Sequence, residues 1–90
     1  MELPLKTSIL KYAMEYKSSF TVDDLYRDLA PFYGGEGQFT KARLKDYTDS
    51  YLGVKFFNRE KVEYNANGEL IIYYKITDYG LSRKKYIYTD

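Results

Sequence analysis

The hydrophobic period of the chain changes at Gly53, and that change limits the folds open to it. Upstream, Leu5, Ile9, Tyr12, Ala13 and Tyr16 recur at three- and four-residue intervals, the period of one helical face. Downstream, Val62 and Tyr64 alternate with Lys61, Glu63 and Asn65, and the run Leu70 to Thr77 follows the turn signal Asn65-Ala66-Asn67-Gly68. Helices followed by strands in 90 residues imply one α+β domain, because a second hydrophobic core would not fit.

The spacing predicts a first helix over Pro4 to Lys17, with Pro4 in the first turn, where a missing N–H costs nothing. Phe20-Thr21-Val22-Asp23-Asp24-Leu25 predicts the start of a second. Thr21 and Asp24 form a capping box, and Phe20 and Leu25 take the two positions of a hydrophobic staple. This helix is expected over Val22 to Ala30, burying Leu25 and Leu29. Pro31 to Gly37 then reads as a loop in which three glycines are free to take positive φ, with Phe32, Tyr33 and Phe39 as core plugs. A third helix, beginning near Gln38 or Thr40 and running to about Tyr51, places Thr40, Leu44, Tyr47, Thr48 and Tyr51 on one side. Gly53 is positioned for a left-handed cap.

Register in the hairpin follows from keeping one face apolar. A type I turn on Ala66-Asn67 with Gly68 as the bulge residue pairs Tyr64 with Leu70 and Val62 with Ile72. Val62, Tyr64, Leu70, Ile72, Tyr74 and Ile76 then share a core face, opposite Ile71 and Tyr73. Composition favours a short third strand for the tail after Leu81.

The chain has no Cys, His or Trp but twelve Tyr. Thiol and imidazole chemistry, disulfides and Cys/His zinc sites are thereby excluded. The close carboxylate pairs are Asp23 with Asp24, explained by capping, and Asp46 with Asp49, explained by a solvated face. A Gly-Gly-Glu-Gly loop without a following Lys-Ser/Thr is no phosphate loop. No enzyme activity, metal or cofactor is expected. The sequence has no basic leader and no apolar run of membrane-spanning length, so a soluble cytoplasmic protein without membrane contact is the expectation. Fourteen Lys/Arg against thirteen Asp/Glu leave a net charge of +1, so any basic surface is local.

The order helix, helix, glycine-containing loop, helix, hairpin resembles the winged helix-turn-helix family over about Leu5 to Thr77. The segments that carry the resemblance are SFTVDDLYRDL, QFTKARLKDYTDSYLGV, and the YYKITDYG ending, similar to the Y-x-L-T-x-x-G pattern that follows the wing in many members. The loop between the second and third helices is longer than the tight turn of the simplest members. The resemblance implies double-stranded DNA as partner, the third helix entering the major groove, and a role as a small transcriptional regulator. The small size adds the expectation of a phage, viral or mobile-element source.

By position, the DNA-facing candidates are Gln38, Thr40, Lys41, Arg43 and Lys45, with Arg83, Lys84 and Lys85 as a second basic cluster. Gln and Arg suit base edges, and Lys and Thr suit phosphate oxygens. The hairpin tip carries no Lys or Arg, and Asp46 and Asp49 confine the basic stretch to the start of the third helix. The competing expectation is a protein-interaction module, an inhibitor or adaptor. In it Ile71 and Tyr73, beside Tyr86 or Tyr88, form an apolar patch for a homodimer or protein partner.

Overall fold

Each of the first three helices begins where the sequence offers a cap or a proline. The computed structural model describes residues 3–16 and 18–86. Helix α1 (Leu5–Tyr16) follows Pro4 and turns Leu5, Ile9, Leu10, Ala13 and Met14 inward. Tyr16, expected on the core face, is exposed, stacked on the half-buried Tyr12 at 5.1 Å between ring centres.

Helix α2 (Val22–Tyr33) opens with the expected capping box. Asp24 N–H donates to Thr21 Oγ1 at 3.1 Å, and Thr21 N–H donates to Asp24 Oδ2 at 3.0 Å. Phe20 and Leu25, the expected staple pair, are both fully buried. The helix does not stop at Ala30 but continues through Pro31 to Tyr33. Proline removes one bond to the Arg27 carbonyl, and the docking of Tyr33 outweighs that loss. Its ring is buried beside Phe39, and its hydroxyl shares a hydrogen bond with Ser8 and donates to the Leu3 carbonyl. Tyr33 and Phe39 are core residues as expected, whereas Phe32 points outward and is exposed. The connecting loop is therefore shorter than predicted, and Gly34, Gly35 and Gly37 do not use positive φ.

Helix α3 (Lys41–Gly53) is capped by Thr40, whose Oγ1 accepts from Arg43 N–H at 3.1 Å. Leu44, Thr48 and Tyr51 are buried. Gly53 stays helical, and the left-handed residue is Lys55 at φ 69°. The bonds Phe56 N–H to Tyr51 carbonyl (2.9 Å) and Lys55 N–H to Leu52 carbonyl (3.1 Å) make a Schellman ending two residues beyond the expected one. Stacking of Phe56 on Tyr51, 5.7 Å apart, supplies the apolar contact that fixes the cap there.

Strands β1 (Phe57–Tyr64) and β2 (Leu70–Ile76) form an antiparallel hairpin in the expected register, with Tyr64 opposite Leu70 and Val62 opposite Ile72. Gly68, at φ 78°, is the turn residue that needs no Cβ. β1 begins earlier than its alternation suggests, because a bulge at Glu60 between Arg59 and Lys61 reverses the parity. Phe57 and Arg59 thereby join the face of Val62 and Tyr64. Phe20 pairs with Tyr74 on the outer edge of β2, exchanging bonds of 2.8 and 2.7 Å.

Only the base of the hairpin reaches the core. Phe57 and Tyr74 are buried among α1, α3 and Phe20, but Val62, Tyr64 and Leu70 are 51%, 72% and 52% exposed. The expected six-residue core face is thus half core and half overhang, since the helices end below the tip.

After β2, Thr77 caps a short helix α4 (Asp78–Leu81), which passes into a 3-10 turn (Ser82–Tyr86). The expected third strand is absent from these residues; Ile87 and Tyr88 lie outside the described residues. Thr77 Oγ1 accepts from Gly80 N–H and donates to the Lys55 carbonyl at 2.7 Å. A Cβ on Gly80 would stand 2.5 Å from the Phe56 carbonyl oxygen. The T-x-x-G pattern is therefore a cap followed by a close backbone approach. No helix among the described residues is long and apolar enough to cross a membrane.

Candidate nucleic-acid interface

Leu44, Thr48 and Tyr51 hold α3 to the core, so its opposite side is presented outward. Thr48, fully buried, donates its hydroxyl to the Lys45 carbonyl at 2.9 Å. Tyr51 donates to the Lys6 carbonyl at 2.7 Å, tying the far end of α3 to α1. Gln38, Thr40, Lys41, Ala42, Arg43, Lys45 and Asp46 are exposed as a consequence.

The cations on this side are not equivalent. Lys41 Nζ lies 3.0 Å from Asp23 Oδ1 in the first turn of α2 and 5.4 Å from the centre of the Tyr26 ring. The hydrogen bond with Asp23 raises the Lys41 pKa. Lys45 Nζ lies 2.7 Å from Asp49 Oδ2, and that bond raises its pKa against the opposing effects of burial and, more weakly, of the neighbouring Arg59. Asp49 also accepts from the Tyr74 hydroxyl at 3.3 Å, so it links α3 to β2. Arg43 has no side-chain hydrogen bond or ion pair among the described residues. Thr40 spends its oxygen on the Arg43 N–H.

Arg59 is a basic residue that the sequence pattern did not single out. It sits opposite Tyr74 on the helix-facing side of the hairpin, close enough to Lys45 for their charges to interact. Only the bulge at Glu60 puts it there, and nothing in the run Phe57-Asn58-Arg59-Glu60-Lys61 announces a bulge. Between the first turns of α2 and α3 and strand β2 lies a groove of about 360 Å³, lined by Thr21, Asp23, Lys41, Lys45, Leu70 and Tyr74.

The second basic cluster lies elsewhere. Arg83 is half-buried, with its guanidinium 6.0 Å from the centre of the Phe56 ring, and Phe56 stacks on Tyr51. That is the C-terminal end of α3, roughly 15 Å along the axis from Lys41 at 1.5 Å per residue. Lys84 is exposed, and Lys85 and Tyr86 belong to the backbone of the same 3-10 turn. The exposed candidates from Gln38 to Lys45 are thus at the start of α3, with Lys41 and Lys45 on its flank toward α2 and β2 and Arg43 on a different flank, whereas Arg83 packs at the other end of the helix.

Ile71 and Tyr73, on the other face of the hairpin, are half-buried. Tyr73 donates its hydroxyl to Glu63 at 2.6 Å, and Lys61 Nζ stands 5.0 Å from its ring centre. The larger apolar exposure is on the opposite face, at Val62, Tyr64 and Leu70.

Compared with known proteins, the chain matches no family model, and no curated protein or solved structure is significantly similar to it.

Proposed function

We propose that this chain is a winged-helix domain that binds double-stranded DNA through the exposed start of α3, in the manner of a small transcriptional regulator. The observation that carries the reading is the outward surface of α3. Arg43 stands there with no hydrogen bond or ion pair among the described residues, and Lys41 and Lys45, on the flank of α3 toward α2 and β2, lie in exposed ion pairs. Pairs of that kind contribute about 0–1 kcal/mol, so phosphates can replace the carboxylates at small cost. Gln38 and Arg43 offer the donors that read base edges, while Lys41, Lys45 and Arg59 suit the flanking backbone. The hairpin takes the place of the wing beside the duplex.

Amide chemical-shift mapping with a mixed-sequence duplex tests the reading. The largest shifts are expected at Gln38 to Lys45 and at Arg59. Shifts confined to α1 or the C-terminal turn, or none at all, contradict it.

A second reading, a protein-binding module, draws on one observation, the exposure of Val62, Tyr64 and Leu70 beside the groove. Under it, Tyr64→Asp abolishes capture of the partner and Arg43→Ala has no effect.

A further inference from the structure

Strand β1 lies on an open edge. Its strand partner among the described residues is β2 alone, whereas the outer edge of β2 is engaged by Phe20 at Tyr74. Antiparallel pairs alternate between those that exchange N–H···O bonds and those that do not. The turn closes with Asn65 N–H donating to the Glu69 carbonyl at 3.0 Å, so the exchanging pairs continue at Glu63 with Ile71 and at Lys61 with Tyr73. Val62 and Tyr64 therefore direct their N–H and C=O groups away from β2. Their side chains are exposed on the same face as Leu70. An edge with outward backbone groups beside exposed apolar side chains is a template for another strand.

We propose that this edge pairs with β1 of a second copy about a twofold axis through Val62, joining two hairpins into one four-stranded antiparallel sheet. Charge selects the register. Centring the pair on Lys61 sets Lys61 against itself, and centring it on Glu63 sets Glu63 against itself. Like charges directly opposite are destabilising. Centring on Val62 sets Lys61 of each copy opposite Glu63 of the other, twice by symmetry. The existing Lys61–Glu63 pair, 3.2 Å within the strand, is exposed and exchanges at little cost.

In that register Val62 meets Val62 of the second copy, and Tyr64, exposed on the same face as Leu70, is set opposite the bulge at Glu60 of the other copy. Residues opposite one another share a face of the sheet, so both α3 helices stand on the same side. Because the bulge lets five residues of β1 span four of β2, the anchors at Phe57 lie roughly 26 Å apart along the strands, at about 3.3 Å per residue of β2. Dimerisation does not depend on the DNA reading, and a failure of either leaves the other standing.

Sedimentation of the full chain over a concentration series tests the pairing. A monomer–dimer equilibrium is expected, weakened at least about tenfold by Lys61→Glu, which creates two like-charge pairs. Adding Glu63→Lys to that variant restores dimerisation. Val62→Pro removes an N–H that the hairpin does not use and leaves only monomer. Amide exchange in the unmodified chain gives a readout independent of how any variant folds, since Val62 and Tyr64 slow as concentration rises. A chain that stays monomeric throughout, a dimer indifferent to Lys61→Glu, a charge swap that fails to restore it, or exchange at Val62 independent of concentration overturns the proposal.

Discussion

Lys41 Nζ stands 3.0 Å from the Asp23 carboxylate, so the first residue of α3 is tied to the first turn of α2 across the glycine loop. The pair ties α2 to the start of α3 and also neutralises one cation of the proposed interface. Asp23→Asn is therefore expected to raise duplex affinity roughly twofold to fivefold, the equivalent of a surface ion pair. Stability should change by less than about 0.5 kcal/mol. Fluorescence anisotropy and thermal melting check the two parts separately.

Thr40 both caps α3 and borders the proposed contact surface. Thr40→Ala should lower stability by about 1 kcal/mol through loss of the cap. Thr40→Ser should restore it, as read by urea denaturation.

Lys55 holds the left-handed position of the Schellman ending of α3 at φ 69°, where a side chain is unfavourable. Lys55→Gly is expected to stabilise the protein by about 0.5–1 kcal/mol, while Gly80→Ala is expected to cost about 1–3 kcal/mol by forcing a shift against the Phe56 carbonyl. Gly35→Ala, with open space around the added methyl, serves as the control.

Stability should fall at both extremes of pH. Burial pushes the Tyr51 pKa up to about 12 from its ordinary 10.0, and burial also raises Tyr12 and Tyr74. These phenols contribute fully below pH 10, and the Tyr51 contribution is lost as pH rises from 10 through 12. On the acid side, hydrogen bonds from Arg27 and then Tyr12 hold Asp28 below its ordinary value, and bonds from Tyr73 and then Lys61 do the same for Glu63. Their contributions are present above the ordinary carboxylate range, near pH 4, and fade as pH falls through the lowered values. The urea midpoint should be flat between about pH 5 and 9. Tyr51→Phe should lose about 1 kcal/mol at neutral pH and show a shallower alkaline limb.

The local signals were legible where a few adjacent residues decide the outcome. Thr21 with Asp24, and Ala66-Asn67-Gly68 with its register, each stabilise themselves within one turn, and both form as read. The errors arise where distant packing decides. Tyr33 carries α2 past Pro31 by reaching Ser8 and Leu3, and Phe56 moves the cap of α3 to Lys55 by stacking on Tyr51. Alternation placed Val62, Tyr64 and Leu70 on the correct face but carried no information on how far the helices extend beneath it. The exposed residues at the start of α3 were readable from their spacing to Leu44 and Thr48. Their pairing with Asp23, and the arrival of Arg59 beside Lys45, depend on how α2 and the bulged strand dock.

The proposal that α3 binds duplex DNA is tested most directly by measuring affinity against salt for the unmodified chain and for Arg43→Ala. Binding should weaken linearly with the logarithm of salt concentration, with a slope of about −0.9 per phosphate contacted, and Arg43→Ala should lower both the affinity and, by about one, the magnitude of that slope. Absence of duplex binding at low salt, or binding whose strength and slope are the same in Arg43→Ala, would contradict the account.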